Sequence, residues 1–354
     1  MMKAKSLTKA FKSVALLITW LSLSNMEAFA VEGDLKACAT VPELGSLLRD
    51  LGGDRIAVTV FAKGTEDPHF VEAKPSFIKA MNECDLYVQV GLELEIGWAP
   101  ALLQNARNAR VLPGSAGFLD TSQAIAPLDV PTQAVDRSMG DVHPFGNPHY
   151  LADPLNGLAV AELIVQKLGE LRPLDKGYFE GRYADFSRRL AARLVGDTLA
   201  RRYLIEDVKK LAQLFARGKL KAFLDSQGQG AQLGGWLRLM LRYYGTKIVD
   251  DHNLWPYFAH RFGLVIAGHM EPKPGIPPTT LHMQDLVKRM QADAIKIVIT
   301  SAYFDPRHGQ FLAEHTGARV LAFANQVGAW PGTDDYLAMI DYNVKQLAAT
   351  LGRL

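Results

Sequence analysis

Three histidines share a setting that could bind a metal ion. His69 ends the run Gly64-Thr65-Glu66-Asp67-Pro68-His69, a loop directly after an expected strand over 55–61. His149 ends Gly140-Asp141-Val142-His143-Pro144-Phe145-Gly146-Asn147-Pro148-His149, just before the helix start signalled by Asp153-Pro154. His252 follows Asp250-Asp251, at the end of an expected strand over 247–249. Neutral imidazole is a borderline-soft nitrogen donor that suits Zn2+ better than hard cations. Pro68 and Pro148 restrict the backbone beside two of the rings, which lowers the ordering cost of binding. A lone loop histidine reads as a solvated side chain. Three at strand ends carry more weight, because open α/β sheets bind ligands beyond the carboxyl ends of their strands. The ligand must be neutral imidazole, so affinity is expected to fall below about pH 6.5.

These loops need strands and helices to hold them. The N-terminal half alternates expected strands over 35–40, 55–61, 86–90 and 109–112 with helices over 41–51, 75–82 and 94–106. A helix follows Asp153-Pro154, and 178–203 reads as another long one. The C-terminal half repeats the alternation. Strands are expected over 247–249, 264–267, 294–299 and 319–323, and helices over 281–292, 309–317 and 336–351. Strand–helix alternation with short Gly, Pro and Asp connections implies parallel βαβ units. The expected fold is therefore α/β, with two lobes of parallel βα units. The expected segments are 31–175 for the first lobe, 176–203 for a connecting helix, 204–244 for a helical insertion and 245–354 for the second lobe. The 204–244 stretch has apolar positions at helical spacing beside Lys209, Lys210, Arg217, Lys219 and Lys221. A solvated helical face is its first reading, and a membrane-contacting surface its second.

The composition agrees with a globular protein. Hydrophobic residues make up 48% and charged residues 21%, which excludes a disordered or collagen-like chain. A net charge of +2 with interspersed signs announces no nucleic-acid surface. Lys3, Lys5, Lys9 and Lys12 precede an apolar run over 14–23, and Ala28-Phe29-Ala30 follows. This is the layout of a secretory signal peptide, with cleavage expected after Ala30 and a mature net charge of −1. The run is about half the length that spans a bilayer. No Cys follows it at a cleavage site, so lipoprotein processing is not expected. Cys38 and Cys84 suit buried thiols or one bridge, and fit no metal-ligand spacing.

Taken together, these pieces resemble the periplasmic solute-binding proteins of zinc and manganese ABC transporters. The resemblance rests on residues 64–69, residues 140–150 with Asp153-Pro154, and His252 with Tyr257-Phe258 and Phe262-Gly263-Leu264. Asp334-Asp335-Tyr336 and Tyr342-Asn343 extend it to the chain end. It covers nearly all of 31–354 apart from 204–244. It implies two α/β lobes joined by one long rigid helix, with the metal in the cleft between them. It also implies a soluble monomeric receptor that hands metal to a membrane permease. The family's first three ligand positions match His69, His149 and His252. The third is often a carboxylate in manganese receptors and His in zinc receptors, so the resemblance implies Zn2+ ahead of Mn2+. The family often adds an Asp from a C-terminal loop. Here that loop reads Ala322-Phe323-Ala324-Asn325-Gln326-Val327, which leaves Asn325 or water for the fourth position.

Some zinc receptors carry a His-rich loop before the second ligand. Residues 127–139 contain no His, and His143 stands alone. A structural role is its first reading and an auxiliary role its second. His308 and His315 read as surface groups, and His260, His269 and His282 have no partner at ligand spacing. Glu271 is a carboxylate that could face the cleft. Three His and an open position also describe catalytic zinc, with Asp67 or Glu66 as a general base. That exported hydrolase or lyase is the alternative from another class. No His-Glu-x-x-His, Gly-x-Ser-x-Gly or phosphate-loop motif supports it.

Overall fold

The computed structural model of the chain describes residues 34–133, 135, 140 and 142–354. The expected leader over 1–30 and its cleavage point lie outside the described residues. Within them, short apolar runs form strands. β1 (Leu35–Ala39), β2 (Ile56–Val60), β3 (Leu86–Gln89) and β4 (Phe118–Asp120) make one parallel sheet in the order β2-β1-β3-β4. β5 (Lys247–Asp250), β6 (Val265–His269), β7 (Ile297–Thr300) and β8 (Arg319–Ala322) make a second, in the order β6-β5-β7-β8. All pairings are parallel, from Leu35 opposite Ile56 in the first sheet to Thr300 opposite Ala322 in the second. Each sheet reverses its order at a central pair, β1 beside β3 and β5 beside β7. Such a reversal opens a crevice at the carboxyl ends of the strands.

Proline and aspartate set where the helices begin. Pro lies in the first turn of α1 (Pro42–Gly52), α2 (Pro75–Glu83), α3 (Ala99–Ala106) and α4 (Pro154–Leu171), where its missing N–H costs nothing. The Asp153 carboxylate accepts from the Leu155 N–H and caps α4. The linking helix α5 (Lys176–Val195) is followed by α6 (Asp197–Arg202), α7 (Ile205–Ala216), α8 (Leu220–Ser226) and α9 (Gly235–Met240). The second lobe carries α10 (Pro256–Phe262), α11 (Thr280–Ala292), α12 (Pro306–Thr316) and α13 (Tyr336–Leu351).

Three sequence expectations shift. The strand expected over 109–112 is a 3-10 turn, Ala109–Val111, because the Asn108 side chain accepts the Arg110 N–H and bends the chain. The edge strand forms later, at Phe118–Asp120. The helix expected over 94–106 starts only at Ala99. Before it, Glu95 accepts the N–H groups of Val90 and Gly91, holding a tight turn with Leu92 at φ 52° and Glu93 at φ 67°. The helix over 178–203 breaks at Gly196, φ 81°, where a Cβ would lie 2.6 Å from the Gly234 Cα.

Cys38 and Cys84 are buried, unbridged thiols. In 204–244, Val208, Leu211, Phe215, Leu224, Trp236 and Met240 are all buried in the core. Lys209, Lys210 and Lys221 pair with Glu206, Asp207 and Asp225 on their own helices. The apolar positions of this stretch thus pack mainly inside the fold, with Leu204, Phe223 and Leu239 left exposed like the paired Lys210 and Lys221. No helix among the described residues is long and apolar enough to cross a membrane.

One core runs through both lobes, from Leu35 and Leu86 through Phe179 and Phe186 to Ile297, Phe323 and Leu347. The lobes are also stitched by polar groups. Arg261 of α10 makes a two-pronged bond to Asp153, 2.8 Å on each side, and donates to the Ala212 carbonyl at 2.9 Å. Tyr257 donates to the Asn147 carbonyl and accepts the Leu128 N–H. Asn147 donates to the Asn253 carbonyl, and Gln326 to the Glu66 carbonyl. Both members of the Arg261–Asp153 pair are buried. Removing one leaves the other charge stranded, at about 3–5 kcal/mol. We therefore expect Arg261→Met to lower unfolding stability by about 3–5 kcal/mol in urea titration. An Arg261→Met protein as stable as the wild type would show that the pair does not couple the lobes.

Candidate metal centre

His69 leaves β2 through a turn shaped by Asp67. The Asp67 carboxylate accepts the His69 N–H at 3.0 Å and lies 2.7 Å from its Nδ1. Burial raises the Asp67 pKa most, but the hydrogen bonds from the His69 ring and N–H, with the charges of His69 and His252, together hold the carboxyl below its usual range. Nδ1 is therefore the donor, and the Nε2 lone pair is free to face the cleft.

His252 leaves β5 and turns on Asp251, whose carboxylate accepts the His252 N–H at 2.9 Å. The His252 Nδ1 meets the Glu271 Oε2 at 2.6 Å. Its ring stacks on Phe304 at 5.6 Å. His149 is placed by Asn147, which accepts the His149 N–H at 2.9 Å and itself grips the second lobe. One potential ligand atom each from His69, His149 and His252 lie within 4.8 Å of one another. The cluster mixes both lobes, and two of its rings are backed by carboxylates. A carboxylate behind a ligating imidazole fixes its tautomer and raises its basicity.

His143 stands beside this group, in contact with His69. Its Nε2 lies 3.2 Å from the His69 Nε2, with the two rings stacked at 5.3 Å. Burial first, then the neighbouring His69 and His252, push its pKa down to about 3. Burial also drives His149 well below its ordinary value. Both rings are neutral at neutral pH, the form that binds metal.

Asn325 stands elsewhere. It lines a cavity of about 30 Å³ with Glu43, Pro68, His149, Trp255 and Gln326, and touches the histidine cluster there only through His149. Five of its lining residues carry a buried atom with no hydrogen-bond partner: Glu43 Oε2, His149 Nε2, Trp255 Nε1, Asn325 Oδ1 and Gln326 Oε1. The volume would hold roughly two waters. Glu66 and Asp67, candidates for a general base, have other work. Glu66 binds the Lys63 N–H and side chain, and Asp67 holds His69. His282 donates to the His269 carbonyl and His315 to the Phe311 carbonyl, so both are structural.

From sequence, His143 has a structural or auxiliary reading and Glu271 a place facing the cleft; the structure puts His143 beside His69 and Glu271 beside His252. Each lies in a loop whose path across the cleft no local pattern encodes. The one available signal for His143 was its place six residues before His149.

Two parallel α/β lobes meeting over imidazoles define a class of protein. These are the extracytoplasmic receptors that bind a metal ion for an ABC transporter and pass it to a membrane permease, without transforming it. Within that class the chain belongs to the ZnuA family, "Zinc-uptake complex component A periplasmic", whose model matches residues 38–194 and 226–350. The alternative of an exported hydrolase or lyase is set aside with that assignment. The chain is 22% identical over 347 residues to the metal ABC transporter substrate-binding lipoprotein FimA of Streptococcus parasanguinis, covering 96% of each. It is 21% identical over 325 residues to the manganese ABC transporter substrate-binding lipoprotein PsaA of Streptococcus pneumoniae serotype 4, covering 90% of each. A crystal structure of ZnuA matches with a TM-score of 0.63 at 20% identity, over 89% of this chain and 98% of that one. A Mn-bound periplasmic metal binding protein from Candidatus Liberibacter asiaticus matches with a TM-score of 0.61 at 16% identity, over 90% of this chain and 100% of that one. At such identities the structural likeness is one of fold.

The buried Glu43 gives a pH prediction. Burial raises its pKa from 4.5 to about 8. The folded state then binds a proton that the unfolded state releases, so the stability from this group is full below about pH 4.5 and is lost as pH rises towards 8. Glu43→Gln carries no such proton. Its urea midpoint is expected to gain on the wild type between pH 5 and pH 8.5. A constant difference across that range would show that Glu43 ionises normally.

Proposed function

We propose that this chain is a zinc receptor, with His69, His149 and His252 as ligands of the transported Zn2+. The observation that carries the reading is the donor set. The three clustered ligand atoms are all imidazole nitrogens, while the carboxylates Asp67 and Glu271 sit behind the rings. Nitrogen donors favour zinc, whereas manganese prefers carboxylate and carbonyl oxygen. Mn2+ is the second reading, motivated by relatives named as manganese receptors. The fourth position, for which Asn325 or water are candidates from sequence, completes the shell. The receptor works in the periplasm as a monomer, after cleavage of a leader at Ala30, and serves an ABC permease.

The test uses mature protein 31–354 stripped of metal. Zinc and manganese are titrated separately against an indicator of known affinity, with elemental analysis for stoichiometry. One zinc per chain, at nanomolar affinity or tighter and far ahead of manganese, is the expected result. Equal or preferred manganese binding reassigns the ion. His69→Ala, His149→Ala and His252→Ala are each expected to weaken zinc roughly 10-fold or more. Wild-type affinity in any one of them removes that residue from the site. Glu271→Gln keeps the shape but loses the charge behind His252, and a weakening of roughly 10-fold is expected there as well.

A further inference from the structure

We propose that His143 supplies the fourth nitrogen of the metal site, so that the ion is held by His69, His143, His149 and His252. The proposal rests on the zinc-receptor reading and specifies what completes its shell.

The first support is distance. Zinc–nitrogen bonds of about 2.0–2.1 Å place two nitrogens of a tetrahedral site about 3.3 Å apart. The Nε2 atoms of His69 and His143 lie 3.2 Å apart. One ion can therefore bind both without moving either ring apart.

The second support is where the protons are. A neutral imidazole has one N–H. His69 gives its own to the Asp67 carboxylate. That leaves the His69 Nε2 lone pair directed at His143, and with the His143 N–H on its Nδ1 a cation seated between the two Nε2 atoms would accept a lone pair from each.

Asn325 fits the position less well. It shares a cavity with His149 alone among the four histidines, whereas His143 shares one with both His149 and His252. A four-nitrogen shell also adds to selectivity, since every oxygen donor is then excluded from the protein's share of the coordination.

The experiment combines X-ray absorption at the zinc edge with competition titration. On the zinc-loaded wild type, four nitrogen neighbours near 2.0 Å are expected. His143→Ala is expected to show three nitrogens and one oxygen, and to bind zinc roughly 10–100-fold more weakly. Asn325→Ala is expected to keep both the four-nitrogen shell and the wild-type affinity. Thermal melts of the metal-free variants check that each is folded, and the wild-type absorption spectrum needs no variant at all. A wild-type shell of three nitrogens and one oxygen overturns the proposal. So does unchanged affinity in His143→Ala, or a loss confined to Asn325→Ala. In those cases tight wild-type zinc binding leaves the receptor reading intact. A wild type that binds no zinc tightly overturns that reading and this inference together.

Discussion

The buried bond between Arg261 and Asp153 is the constraint on which the site depends. Asp153 caps the helix that follows His149, and Arg261 ends the helix that follows His252. Their two-pronged contact therefore fixes the spacing of two loops from different lobes. A buried ion pair is weak evidence for stability, since its desolvation cost offsets most of its attraction. Its value lies in geometry. The fork of a guanidinium admits one orientation of the carboxylate, and the third arm reaches the Ala212 carbonyl in the helices between the lobes. Three parts of the chain are thus registered by a single side chain. Tyr336 adds to this from the chain end, reaching the Leu151 carbonyl beside Gly157, where a Cβ would collide with its hydroxyl.

With the lobes registered, the chemistry of the cleft follows from how protons and charges are distributed. The three clustered donor atoms are imidazole nitrogens. The negative charges of Asp67 and Glu271 stand one step back, each on an Nδ1. This division suits a receptor. Direct carboxylate ligands would draw hard cations, while carboxylates behind the rings strengthen the nitrogens without changing their preference. It also explains why the nearby acids do not act as bases on a bound water. Each is already spent on a ring or a backbone N–H.

Much of the architecture was legible in sequence for local reasons. The apolar run ending at Ile299 reads as a buried strand, and Asp153-Pro154 as a helix start. The α13 helix was legible from end to end because its apolar positions recur at helical spacing. Failures fell where a side chain far from a regular pattern decides the backbone. Asn108 turns a would-be strand, Glu95 delays a helix, and the helix over 178–203 breaks at Gly196, whose positive φ lets the Gly234 backbone approach. For the candidate site, His69 and His252 stood out in sequence because each lies in the loop after a strand, and His149 because it precedes the Asp153-Pro154 helix start.

The sequence by itself determined the elements, the order of the two α/β halves and the loops that hold the three histidines. Those properties depend on neighbours a few residues apart, which a linear reading sees. Only the tertiary structure decided that these loops meet, that Glu271 backs His252 across 19 positions, and that His143 faces His69 across 74. Such pairings depend on how two sheets are registered through a shared core and one buried ion pair. No local residue pattern carries that information, because the distance between two loops in space is set by everything folded between them.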